Sequence, residues 1–334
     1  MLSLGSWFRR HQTPVLGIDV SPGGIRIIEL VREGKGFRVA HFAQESLQPG
    51  ALRDGGFAQM DALTESLQRA LKTSGTRLRT AAMALPSGAV IKKMLMLPTS
   101  LYEEELEMQV EAEASQALPF PLDEISLDFA VAGPSATNDD YVDVMLVAAR
   151  KERIDERLAL AEAVGLRPVV IDLESQAMAA GLTLIESQRQ YRSDTNEPVA
   201  LLQLGSEGSY CAVMLNDLVI YERELGLSLP RADQEKSHAA ADSLREAVCQ
   251  ELTRALQLFA TSTQHAGVTH VYIAGSAHVL GPDLANFVQR RVGVGVSLPD
   301  PLAGMDLPSS ATRINKDSPA WLIACGLALR SFGT

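Results

Sequence analysis

Long apolar runs are missing from this sequence. The stretches Ala81 to Leu85 and Val142 to Ala149 are soon interrupted, whereas a helix that spans a bilayer needs about twenty apolar residues. No transmembrane segment is expected. Residues Met1 to Gln12 lack the apolar region of a secretory signal, which predicts a chain that stays in the cytoplasm. Cysteine is scarce: Cys211, Cys249 and Cys325 stand far apart in apolar segments, without metal-ligand spacing. They read as small core hydrophobes of a reduced compartment and argue against a zinc site. His11, His41, His238, His265, His270 and His278 show no ligand spacing and no nucleophile partner, so neither an intrinsic metal nor triad chemistry is expected. Positive charge is in deficit: 30 lysines and arginines face 41 acidic residues, and the net charge of -11 opposes nucleic-acid binding.

What the chain has is aliphatic bulk. Hydrophobic residues make up 46% and aromatics only 5%, a balance that builds aliphatic cores and excludes global disorder. Its 334 residues exceed one ordinary core and predict two lobes.

Val15 to Val20 and Ile25 to Val31 are apolar, β-branched runs joined by Ser21-Pro22-Gly23-Gly24, which predicts a hairpin. A third strand near Phe37 to Phe42, a helix over Phe57 to Lys72 and a strand Ala81 to Leu85 follow. Residues 87–165 have their own order: strand Val90 to Leu97, acidic helix Leu101 to Ala117, strands Ile125 to Ala132 and Tyr141 to Ala149, and helix Lys151 to Val164. They predict an inserted α/β subdomain. Strand Val169 to Leu173 and a helix from Glu174 to Ser187 complete a first lobe of residues 14–86 and 166–187, behind an N-terminal tip, 1–13. Trp7, Phe8, Arg9 and Arg10 in that tip suit a membrane interface; a frayed terminus is the plainer alternative. The polar run 188–198 reads as a linker. The second lobe, 199–334, opens like the first: strands Ala200 to Leu204 and Ser209 to Leu215 flank Gly205-Ser206-Glu207-Gly208. Strand Leu218 to Glu224, helix Ala241 to Ser262, strand His270 to Ala274 ending in Gly275-Ser276, a Pro/Gly-rich loop from Gly293 to Pro319 and helix Ala320 to Arg330 follow.

Two strand-turn-strand units opening successive lobes are how an actin-like α/β fold, a pair of ribonuclease H-like repeats, arranges a nucleotide site. Glycine turns let backbone N–H groups converge on phosphate oxygens. More specific are Gly17-Ile18-Asp19-Val20, the run Ala117-Leu118-Pro119-Phe120-Pro121-Leu122-Asp123-Glu124-Ile125, Val147-Ala148-Ala149-Arg150-Lys151 and Val170-Ile171-Asp172-Leu173-Glu174. With Arg254-Ala255-Leu256-Gln257-Leu258-Phe259 and Ala324-Cys325-Gly326-Leu327-Ala328-Leu329-Arg330-Ser331-Phe332, the chain resembles the PilM family of type IV pilus assembly proteins, relatives of FtsA. The resemblance implies an FtsA-type inserted subdomain and a cytoplasmic scaffold peripheral to the inner membrane, serving pilus biogenesis and twitching motility. It implies ATP and magnesium between the lobes, and capture of the N-terminal cytoplasmic tail of PilN beside the insertion. PilO and PilP would be linked through PilN, the pilus motor ATPases would act nearby, and homo-oligomers fit the same picture.

By that resemblance Ser21, Gly23, Gly24, Arg26, Gly205, Ser206, Ser209, Glu251, Arg254, Gly275 and Ser276 are the nucleotide-binding positions. Asp19 would hold magnesium if ATP binds, and Asp19, Glu174 and Gln176 are placed to orient a hydrolytic water. This sequence departs from the pattern. Pro22 has no N–H to offer a phosphate, Arg26 stands where lysine is usual, and Gln203 replaces the carboxylate of an Asp-x-Gly. Glu207 adds a negative charge at the second turn, and Leu225-Gly226-Leu227-Ser228-Leu229-Pro230 leads quickly to the next helix, so the helical roof within 226–262 is shortened. The expectation is therefore a scaffold with a degenerate nucleotide site. The alternative is an ATP- and magnesium-binding switch or weak ATPase in the same complex; a small-molecule kinase would need a substrate pocket and a base in the first lobe. Met94, Met96, Met108 and Glu111 are the candidate lining of the partner groove, since flexible methionines suit peptide surfaces; core packing and a solvated acidic helix face are the structural alternatives.

Overall fold

The computed structural model describes residues 14–34, 36–135, 138–188, 197–215, 218–230, 238–307 and 318–332. The tip 1–13 and most of the linker lie outside them. The chain begins with β1 (Leu16–Ser21), β2 (Gly24–Glu33) and β3 (Gly36–Glu45), then a small ribbon of β4 (Leu52–Arg53) and β5 (Gly56–Phe57). The ribbon was not expected, and it delays α1 to Met60–Ser74. Next come β6 (Thr80–Leu85), β7 (Val90–Pro98), α2 (Glu103–Ala117), β8 (Ile125–Pro134), β9 (Tyr141–Arg150), α3 (Lys151–Ala163), β10 (Arg167–Leu173) and α4 (Glu174–Gln188). The second half contains β11 (Val199–Leu204), β12 (Ser209–Leu215), β13 (Leu218–Leu225), α5 (His238–Ser262), β14 (His270–Gly275), α6 (Leu284–Val292), β15 (Gly295–Ser297) and α7 (Leu322–Leu329). Strand β15 falls in the segment expected to be loop, being only three residues long, and helix α6, of nine residues, lies just before it where no element was expected.

The two main sheets repeat one topology. The first has the order β10-β6-β1-β2-β3 and the second β15-β14-β11-β12-β13. In each, three antiparallel strands are followed by two parallel ones. Helices α1 and α5 make the first crossovers, and α3 and α6 the second. This duplication is the actin-like plan.

Two assignments change with the packing. Helix α3 had been placed in the insertion, yet Leu160 and Ala161 are buried among Leu16, Ile18, Ala81 and Met83 of the first lobe. It is that sheet's second crossover. The C-terminal helix had been counted in the second lobe, but α7 buries Ala324, Cys325, Ala328 and Leu329 against Ile28, Leu30 and Val39 of the first sheet. Its other neighbour is α4, whose Ala177, Met178 and Leu182 share a core with Leu201, Tyr210, Met214 and Tyr272 of the second sheet. All eight residues of α7 are buried, which is why the segment is apolar all round rather than striped. Each large aliphatic side chain there contributes roughly 1.5–3 kcal/mol.

The helix pair is close enough to require glycine. A Cβ on Gly326 would lie 1.6 Å from the Ala177 carbonyl oxygen, and one on Gly181 would lie 2.5 Å from that of Leu322. Arg330 Nε donates to Asp172 Oδ2 at 2.6 Å, and the Val15 N–H donates to Ser331 Oγ at 2.8 Å, fastening the C-terminal segment to the first lobe. The cysteines are buried and unbridged, as expected, and burial pushes the Cys211 thiol up to about 12. No helix among the described residues is long and apolar enough to cross a membrane.

The insertion is a three-stranded antiparallel sheet, β7-β9-β8, with α2 on one face. Val110, Ala114 and Leu118 pack on Leu95, Leu97, Val144 and Leu146. The α2 N-terminus is held by the Glu105 carboxylate, which accepts the Tyr102 N–H at 3.0 Å. Its first-turn acids also suit the helix dipole.

Candidate functional site

The two hairpin turns and the end of β14 converge on one point between the lobes. Asp19, Ser21, Gly23, Arg26, Gly205, Ser206, Gly275 and Ser276 all line a single space there, together with Gln203. Tertiary structure thus gathers eight of the predicted residues from positions up to 257 apart. The space is only about 40 Å³, because its own side chains fill it. Arg26 Nη1 lies 3.3 Å from Asp19 Oδ2 and 3.3 Å from Ser21 Oγ, and Ser21 Oγ donates to Asp19 at 3.2 Å. Burial raises the affinity of Asp19 for its proton, and the Arg26 guanidinium opposes that shift.

Two backbone N–H groups at these turns are bonded within the protein. The Gly205 N–H donates to Ser209 Oγ at 3.2 Å, and the Ser276 N–H donates to the Leu204 carbonyl at 2.8 Å. Gly275 has φ +78, and a Cβ there would meet the Leu204 oxygen at 2.3 Å. Gly24, with φ +128, packs instead against the Glu45 carbonyl.

A larger cavity of about 570 Å³ lies beside the first, bounded by both lobes and the insertion. Glu174 and Ser209 face it, along with Glu207 and Gln203. Burial, reinforced by the Asp19 charge, pushes the Glu174 carboxyl up to about 8 despite nearby Arg157, so the proton is retained at neutral pH. Arg157 is buried, donates to the Gly55 carbonyl at 2.8 Å and to Glu156 at 3.0 Å, and covers the Phe57 ring. Desolvation lowers its pKa to about 10. Lys92 reaches in from the insertion to Ser175 Oγ at 3.0 Å and forms an ion pair with Glu222 of β13.

Not every predicted residue joins these spaces. Gln176 lines neither. Glu251 accepts the Gly226 N–H at 3.4 Å, Arg254 is exposed, and both stand outside the two cavities. The four groove candidates divide as well. Met94 and Met96 are 49% and 50% exposed on the face of the inserted sheet opposite α2, as strand alternation from buried Leu95 and Leu97 requires. Met108 and Glu111 are exposed on α2 itself, on the other side of that sheet.

Lys92, Arg157 and Glu222 were missed. A signal was present for two of them: Lys92 breaks an apolar strand, and Arg157 falls on the buried stripe of α3, where a charge needs partners.

Comparison with known proteins agrees with this architecture. A solved PilM-PilN type IV pilus biogenesis complex is similar over 96% of this chain and 99% of that one, with 26% identity and a TM-score of 0.79. A diol dehydratase-reactivating factor in nucleotide-free form shares the fold at 9% identity and a TM-score of 0.50, over 95% and 99% of the two chains. A protein of unknown function with an actin-like ATPase fold from Bacteroides thetaiotaomicron matches over 95% and 98%, with 10% identity and a TM-score of 0.45. The family model described as type IV pilus assembly protein PilM matches residues 17–235 and 241–332, and the chain belongs to that family.

Proposed function

We propose that this chain is a scaffold at the cytoplasmic face of the inner membrane that captures the N-terminal tail of PilN and, through it, is tied to PilO and PilP. The observation that carries this reading is the end-to-end similarity to a PilM solved together with PilN. The exposed end of the inserted sheet's face opposite α2 supports it. There Met94 and Met96 offer flexible apolar contact, and a short segment laid across β7 would cover them. ATP and magnesium have no necessary part in this reading, in which Asp19, Ser21 and Arg26 bond to one another. Calorimetry with the full chain and a synthetic PilN tail, with and without Mg-ATP, tests the reading. Equal affinity in both conditions is expected, and absence of binding in both would sink it.

A further inference from the structure

We infer that Arg26 takes the place that a nucleotide's metal and phosphates would fill, so that the core closes on its own ion pair and binds no nucleotide. A buried carboxylate such as Asp19, 3% exposed, needs a counter-charge. Arg26, 5% exposed and 3.3 Å away, supplies one. Its guanidinium lies against the first turn, where a Cβ on Gly23 would be 3.1 Å from Nη2. The 40 Å³ beside the ion pair has room for a few waters, and only the adjoining 570 Å³ cavity, which shares Ser21, Pro22, Gln203 and Gly205 with it, reaches the about 300–1,000 Å³ typical of small-molecule pockets.

The backbone also offers fewer donors. Pro22 has no N–H, and the N–H groups of Gly205 and Ser276 already donate within the protein. Where an aspartate would favour a magnesium shell, Gln203 presents a neutral amide. Nor is the larger cavity a substitute. A polyphosphate entering it meets Asp54, Glu207 and Glu224, while Lys92 is paired with Glu222 and Arg157 with Glu156. Partner binding in this chain is consequently not gated by nucleotide.

The inference is independent of which partner docks on the insertion, and its test uses the chain alone. Nucleotide-stripped full-length protein is titrated with Mg-ATP and Mg-ADP to about 5 mM, followed by calorimetry and thermal melting, against magnesium sulfate at matched ionic strength. A ligand at about 100 times its dissociation constant would raise Tm by several degrees. No saturable heat, and no Tm shift beyond the sulfate control, is expected; a nucleotide-specific, saturable response overturns the proposal. A second arm tests the ion pair. Arg26→Met should lower Tm by more than about 5 °C and Asp19→Asn/Arg26→Met should restore most of the loss, because the lone buried carboxylate is then gone. Equal Tm in the single and double variants would show that Arg26 does not neutralise Asp19 and would also overturn it.

Discussion

Lys92 on the inserted sheet and Glu222 on the second lobe form an ion pair across the larger cavity, and the same ammonium donates to Ser175 Oγ at the start of α4. One side chain thus ties the insertion to both lobes. The two partners are 21% and 12% exposed, a partly buried setting in which an orphaned charge is costly. Lys92→Met should destabilise by roughly 1–3 kcal/mol, with faster hydrogen exchange in the insertion. Lys92→Met/Glu222→Gln should recover part of the loss. Unchanged exchange in the single variant would show that the pair does not hold the insertion.

Gly326 predicts a sharper effect. A methyl group there would overlap the Ala177 carbonyl oxygen, and both backbones belong to helices packed between the sheets. Gly326→Ala should cost about 3 kcal/mol or more, or prevent soluble expression. Gly226 is exposed with open space around its Cβ position, so Gly226→Ala should change stability by less than about 0.5 kcal/mol. Denaturant melts of the two variants make the comparison.

Glu174 gives a pH dependence with a definite sign. Its folded value of about 8 lies above the ordinary 4.5, so the native state keeps a proton that the unfolded chain releases. This contribution is fully present below about 4.5 and declines as pH rises through about 8. Glu174→Gln should therefore stabilise by roughly 1–2 kcal/mol at alkaline pH and have little effect at pH 4. Melting curves across that range decide it. A variant less stable than the parent at high pH would contradict the raised value.

The division of the methionines makes a specificity test. Met94→Asp/Met96→Asp should weaken the PilN tail at least about tenfold, a loss of ~1.4 kcal/mol, with Tm preserved because both side chains are half exposed. Met108→Asp, on the far side of the inserted sheet, should leave the affinity unchanged. The reverse pattern would move the docking face to α2.

Much of this architecture was legible in the order of residues. The β-branched runs on either side of Ser21-Pro22-Gly23-Gly24 and Gly205-Ser206-Glu207-Gly208 dictated two hairpins, because turn chemistry and strand alternation act over a few neighbours. Assigning Asp19, Ser21, Arg26, Gly205 and Gly275 to one nucleotide site, by contrast, rested on the family resemblance. Which lobe a helix serves was not local. Helix α3 and helix α7 were misplaced because an apolar stripe records that a face is buried, not against what. Only the assembled sheets decided that Gly326 must be glycine, that Lys92 meets Glu222, and that Arg26 meets Asp19. Each depends on the distance between groups brought together by packing, and such distances are not written in a linear chain.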